Sequence, residues 1–295
     1  MASQDQKDER IDDVVDDNST SLSVDEPKRS SDSPLTAIMV DTESAVSSLV
    51  DTLSDLPNDP PSIYLDLEGE NLSRRGTLDI VQIYISTVNE VYLLDVHTLK
   101  EAAFNTAGSK NPNTVKQILE SSQIQKGIFD VRMDSDALFN LFGVLVDGIQ
   151  DIQLMSLARC ECPTVYEFLD GLSACIQRDL DLSLKEKRTC HAVKEMGRNL
   201  FAPERGGSYK VFSQRPLSED IKSYCVQDVQ YLAHLWKKYN PPIGPVWRSR
   251  VEDATRRRIS LSKYENFTGK GRYMVFSPFY SPGDRPFELG RAGGY

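Results

Sequence analysis

Asp66 and Glu68 stand one residue apart in the stretch "IYLDLEGENLSRRGTLDIVQIYI", Ile63 to Ile85. The stretch reads as two apolar strands joined by a polar, basic turn. Side chains at i and i+2 of a strand share a face, so both carboxylates project together, opposite Leu65 and Leu67. Two neighbouring carboxylates repel unless something positive lies between them. A solvated strand end accounts for such a pair on its own, so the case rests on other acids. In "FDVRMDSDALFNLFG", Val131, Leu138, Leu141 and Phe142 form one helical stripe at roughly 100° per residue, and Asp134 falls inside it. Asp136 points nearly the opposite way and is expected in solvent, while Asp130 is placed to cap the helix. In "DIKSYCVQDVQYLAHL", Ile221, Tyr224, Cys225, Asp228, Tyr231, Leu232 and Leu235 share a face, with Asp228 in its middle and Tyr224 one turn earlier.

An ionised carboxylate on a buried face is costly unless paired or metal-bound. A salt bridge to Lys or Arg, or a tyrosine hydrogen bond, explains any one of these acids. Inward acids on three separate elements fit one shared cation site better. An oxygen-only donor set without His or Cys favours Mg²⁺ or Mn²⁺ over Zn²⁺. Two such ions can activate a water and stabilise the leaving oxygen of a phosphodiester.

The elements needed to bring these acids together are legible as a pattern. "TAIMV" reads as a strand, and Val46, Leu49, Val50 and Leu53 mark a helix face. Apolar runs at Ile63–Leu67, Leu78–Ile85 and Val91–Val96 form a strand meander. A helix near Thr114–Ser121, a strand at Ile124–Phe129, a helix closed by Gly143 and a strand in "VLVDGIQD" follow. Helices are expected from there to Tyr239, and "NPPIGP" marks a boundary. A meander followed by strand–helix alternation implies an α/β fold, a mixed sheet covered by helices.

The 295 residues, 39% of them hydrophobic, suffice for one large core plus tails. Residues 1–35 carry ten acids, four bases and no aromatic; they are expected to be a disordered acidic tail. That tail accounts for −6 of the net charge of −10, so the total argues only weakly against an anionic partner. Residues 185–215 are net +5. No apolar run approaches the length of a membrane span, and the N-terminus lacks the apolar segment of a secretory signal. With five cysteines and no C-x-x-C pair, reduced thiols in a cytoplasmic or nuclear protein are expected. A zinc site from Cys160, Cys162, Cys190 and His191 has little support from their spacing.

The ordered set D-x-E, a helical D, then Y-x-x-x-D resembles the tyrosine subgroup of the DEDD superfamily of 3′–5′ exonucleases. The nearest likeness is to RNase D-type domains, including the Egalitarian-like branch. It rests on "YLDLEGENLSRRGTLDIVQI", "KGIFDVRMDSDALFNLFG", "DIQLMSLA" and "RPLSEDIKSYCVQDVQYLAHL", with Arg215-Pro216-Leu217 just before the last helix. The resemblance implies a ribonuclease-H-like mixed sheet flanked by helices over residues 36–240. It implies Asp66, Glu68, Asp134 and Asp228 as ligands of two Mg²⁺ or Mn²⁺ ions, with Glu68 and Tyr224 orienting the attacking water. The expected reaction releases nucleoside 5′-monophosphates from single-stranded 3′ ends, of RNA in preference to DNA. The rival expectation is a catalytically silent exonuclease fold serving as an RNA-binding or scaffolding module; all five site residues being present favours the enzyme.

RNase D proteins carry helical nucleic-acid-binding domains after the nuclease, whereas here residues 241–295 form a short extension. Residues 246–295 are net +5, with Tyr264, Phe267, Tyr273, Phe276, Phe279 and Tyr280 interleaved among the bases. Aromatics beside cations grip single strands; equally, the tail could pack on the domain with its aromatics buried.

Overall fold

The computed structural model describes residues 35–160 and 162–281; the expected acidic tail lies, as far as residue 34, outside them. Ala37–Val40 (β1) leads into Glu43–Ser54 (α1), capped by the Thr42 hydroxyl and buried through Val46, Leu49, Val50 and Leu53. The meander is Ile63–Glu68 (β2), Ile80–Ile85 (β3) and Glu90–Asp95 (β4). Two single-turn helices follow, Val96–Leu99 (α2) and Ala102–Asn105 (α3), then Val115–Glu120 (α4), opened by a capping box of Thr114 and Gln117. Lys126–Ile128 (β5), Arg132–Phe142 (α5, closed by left-handed Gly143) and Ile149–Asp151 (β6) complete the sheet. Helices Ile152–Ala158 (α6), Leu172–Asp179 (α7), Leu184–Phe201 (α8), Glu219–Gln230 (α9), Leu232–Tyr239 (α10) and Pro245–Ser260 (α11) make up the rest. The single helix expected across Tyr231 is thus two, with Tyr231 as the joint between α9 and α10.

The sheet order is β1-β4-β3-β2-β5-β6. Strands β2, β3 and β4 pair antiparallel, while β1 on β4, β5 on β2 and β6 on β5 are parallel. This is the α/β arrangement expected, a mixed sheet with a core on each face. One core holds Ile63, Leu65, Leu67 and Leu138; the other holds Tyr64, Ile152, Tyr224 and Cys225. Because β2 and β5 run parallel in register from Ile63↔Lys126 to Leu65↔Ile128, their C-terminal ends lie side by side. The first turn of α5 therefore starts beside Asp66 and Glu68. Ligand sites of open α/β sheets form at such carboxyl ends.

Helix α9 crosses β2, β3 and β4 on the Tyr64 face, and its approach is pinned just before it begins. The Arg215 guanidinium grips Asp95 at the end of β4, Nε to Oδ2 at 2.6 Å and Nη2 to Oδ1 at 2.5 Å, and also donates to the Phe212 carbonyl. Burial pushes the Asp95 carboxyl up, but the Arg215 and Thr98 hydrogen bonds outweigh it and hold the group below its ordinary value. Leu217 follows into the core. The Arg-Pro-Leu tripeptide is thus the clamp that sets where α9 lies.

Two sequence expectations are overturned. Asp136 is not solvated: it is 1% exposed and holds Arg74 of the β2–β3 connection, accepting from its backbone N–H at 2.8 Å, Nε at 2.8 Å and Nη2 at 2.7 Å. Helical periodicity placed it opposite the apolar stripe; that side is covered by the chain after α11, whose Ser262 and Glu265 carbonyls accept from the same guanidinium. Asp130 does not cap α5: it has φ of 66°, the N-cap is Val131, and its carboxylate binds Arg132.

The extension packs on the domain. Helix α11 lies on α5, α6 and β6, with Arg258 donating to Asp151 at 2.7 Å. Farther on, Arg132 holds the Met274 carbonyl at 2.8 Å. Phe276 stacks on Phe168, Phe279 meets Trp247 edge-on, and Phe267 is buried. Tyr264 and Tyr273 remain exposed. Among the described residues no helix is long and apolar enough to cross a membrane. Because breaking one partner of a buried pair leaves the other charge uncompensated, Asp136→Ala is expected to cost about 3 kcal/mol, read as a lower denaturation midpoint. An unchanged midpoint would contradict the pairing.

Candidate active site

Asp66 and Glu68 reach the site because β2 alternates faces: Leu65 and Leu67 enter one core, and the two acids follow Tyr64 onto the other side. Asp228 comes from the α9 face that lies over β2. Oxygens of Asp66, Glu68 and Asp228 all lie within 4.8 Å of one another. Asp134, 5% exposed on the first turn of α5, stands outside that tight group but close enough for the charges of Asp66 and Glu68 to act on it. The structure thus brings together the carboxylates singled out from the sequence, three closely and the fourth beside them. Three mutually close carboxylate oxygens with no nitrogen or sulfur donor form a set suited to a hard divalent cation.

The electrostatics record the cost of this crowding. Burial first, then the Asp228 charge, pushes the Asp66 carboxyl up to about 7, against the pull of Lys194. Burial and the charges of Asp66 and Asp228 hold Glu68 well above the usual carboxylate range, although Lys194 and a Tyr224 hydrogen bond pull it back. Asp134 is raised likewise, by burial and then by Asp66 and Asp130. Among the described residues, Asp66, Glu68 and Asp134 form no ion pair. The acids around them do: Asp95 pairs with Arg215, Asp130 with Arg132, Asp136 with Arg74 and Asp151 with Arg258. An ordinary salt bridge therefore does not account for the three inner acids.

Tyr224, one turn before Asp228, is 4% exposed, with its ring edge-on to Phe201. Burial and then the Glu68 charge drive its hydroxyl well above its ordinary value, so at neutral pH it keeps its proton and donates. The ring fits because α8 has no side chain at Gly197: a Cβ there would lie 2.2 Å from Tyr224 Cδ2.

Sequence reasoning missed Gly197 and, more consequentially, Lys194. The Lys194 ammonium bonds both Asp228 oxygens, at 2.6 and 2.8 Å, and the Tyr224 hydroxyl at 3.1 Å. A signal was present: Cys190, Lys194, Gly197 and Phe201 fall at i, i+4, i+7 and i+11 of α8, the face turned to α9. It was hidden because Lys194 counted only as one of many bases in a charged stretch.

In a chelating buffer, Asp66→Asn should be more stable than the wild type near pH 8. A raised folded-state pKa means that the folded protein holds the Asp66 proton more tightly than the unfolded chain, so ionisation above about 7 weighs against the fold. The advantage, about 4 kcal/mol for a rise from the ordinary carboxylate value to about 7, should shrink as pH falls through 7 and vanish near the unfolded carboxylate value. Chemical denaturation across that range checks it; a difference that does not vary with pH would contradict the crowding.

Residues 37–243 match the family model described as 3′–5′ exonuclease. Among solved structures, the chain is similar to RNase D from Trypanosoma brucei in complex with RNA U12, with a TM-score of 0.63, 20% identity and coverage of 80% of this chain and 75% of that one. It is also similar to Escherichia coli RNase D, with a TM-score of 0.54, 19% identity and coverage of 78% and 51%. At such identities these likenesses speak to the fold. Among curated proteins, the mouse piRNA biogenesis protein EXD1 is 32% identical over 118 residues, 40% of this chain and 19% of that protein; the human one is 33% identical over 97 residues, 33% and 17%. The chain thus spans about a fifth of the length of the curated relatives it matches. With the family model covering most of its residues, on a sheet and an acidic cluster arranged as described, the chain belongs to the 3′–5′ exonuclease family.

Proposed function

We propose that this 3′–5′ exonuclease hydrolyses phosphodiester bonds at single-stranded 3′ ends, RNA in preference to DNA, and releases nucleoside 5′-monophosphates. The observation that carries the reading is the convergence of unpaired inward acids from β2 and α5 on Asp228 and Tyr224 of α9. In this reading Asp66, Glu68, Asp134 and Asp228 hold two Mg²⁺ or Mn²⁺ ions, which supply charge stabilisation and water activation when bound. Glu68 and the Tyr224 hydroxyl orient the attacking water, the hydroxyl being an orienter first and a base only conditionally, since burial and the neighbouring carboxylates hold its pKa above the ordinary tyrosine value. The RNA preference draws on relatives: one structural neighbour was solved with RNA, and the curated relatives are named for piRNA biogenesis.

The domain reading follows: residues 36–240 form the nuclease, and 241–295 a basic, aromatic extension whose described part, to residue 281, braces it. With Phe267, Phe276 and Phe279 engaged in packing, the exposed aromatics left to grip a strand among the described residues of the extension are Tyr264 and Tyr273, beside Lys270 and Arg272. The rival, a silent module, has one observation in its favour: an ammonium already engages Asp228.

Incubation with 5′-labelled RNA and DNA oligomers tests the reading. Expected is stepwise shortening from the 3′ end in Mn²⁺, faster on RNA, abolished by EDTA. Tyr224→Phe, which keeps the ring and removes the hydroxyl, should slow turnover by roughly 10²–10⁴-fold, the range for loss of one proton-handling group, with the fold intact. Binding without shortening would sink the enzyme reading in favour of the module.

A further inference from the structure

Helix α8 places one cation inside the acidic cluster. The Lys194 ammonium bridges both Asp228 oxygens and the Tyr224 hydroxyl and lies 4.5 Å above the Tyr224 ring centroid. Its side chain is 21% exposed and that of Asp228 5%, so the pair is shielded from water and its attraction is stronger than at a surface. Gly197, one turn along the same face, lets the tyrosine ring close against α8. Lysine, ring and carboxylate thus pack as one unit. Any cation that takes Asp228 as a ligand needs a carboxylate oxygen that the ammonium already holds, and it meets a like charge beside that oxygen.

Resting on the metal-binding reading above, we infer that Lys194 is a positioning residue that occupies a cation place at Asp228: it fixes Asp228 and Tyr224 in register and weakens the binding of a divalent ion there. The lysine supplies part of the positive charge that the carboxylates call for, which makes the cluster tolerable to the folded protein and raises the threshold for binding metal there. The same positive charge that steadies the carboxylates opposes a divalent cation a few ångströms away. Removing it should therefore move stability and metal affinity in opposite directions. A purely structural lysine would not produce that pairing of effects, because its loss would loosen the ligands and weaken metal binding as well.

The test is calorimetric titration of the full chain with Mn²⁺ alone, at one fixed neutral pH, for the wild type, Lys194→Met, Lys194→Gln, Lys194→Arg and Asp66→Asn. Both neutral variants should bind Mn²⁺ about tenfold or more tightly than the wild type, as expected for removing one like charge near a bound cation; Lys194→Arg should stay near the wild type. In EDTA the neutral variants should melt below the wild type, and Mn²⁺ should raise their melting temperature by more. If Asp66→Asn loses Mn²⁺ while the neutral Lys194 variants bind it as the wild type does, or more weakly, the inference about Lys194 is overturned and the metal reading stands. If no form binds Mn²⁺, both are overturned.

Discussion

Mutual repulsion of carboxylates in a shielded pit is the constraint that the rest of the structure answers. The fold must hold Asp66, Glu68, Asp134 and Asp228 together against their own charge, on a sheet stable enough to bear the cost. It does so by separating two classes of acid. The outer ones, Asp95, Asp130, Asp136 and Asp151, each take an arginine. Their pairs clamp α9, the start of α5, the β2–β3 connection and α11 in place. Among the described residues the inner ones are left without arginine, and of them only Asp228 has a basic ion-pair partner, Lys194. A cluster of carboxylates crowded against one another while the acids around them are neutralised is the electrostatic shape of a cation site.

Parallel pairing of β2 with β5 explains why three elements suffice. It puts the end of β2 beside the strand that feeds α5, so Asp134 reaches the D-x-E pair across one turn of chain. The third element comes from far along the chain, and its placement depends on the Arg215–Asp95 clamp. The extension serves the same frame. Through Arg258, Arg74 and Arg132 it ties itself to the β6 end, the hairpin connection and the helix that carries Asp134. It is part of what holds the site's rim, whatever else its two exposed tyrosines touch.

The strands, the facing of Asp66 with Glu68 and the inward turn of Asp134 and Asp228 were legible because each follows from a period: two along a strand, 3.6 along a helix. What periodicity cannot report is what covers the other side of a helix. Asp136 was misplaced because the chain beyond α11 returns over that face: the Ser262 carbonyl accepts from Asn140, one turn along α5, and from the Arg74 guanidinium that Asp136 holds. Lys194 was missed for a related reason. A lysine among bases reads as solvated, and only the docking of α8 on α9, permitted by Gly197, turns it inward. Tyr231 interrupts what the apolar pattern read as one helix, since the stripe continues in phase across the joint while the backbone hydrogen bonding does not.

Crystals grown in Mn²⁺ and measured at the manganese absorption edge would locate bound metal directly. Anomalous peaks should lie among the carboxylates of Asp66, Glu68, Asp134 and Asp228, with Lys194 displaced from at least one Asp228 oxygen. Manganese found only elsewhere, with the Lys194–Asp228 pair intact and no peak against Asp66 or Glu68, would mean that the cluster is not a cation site.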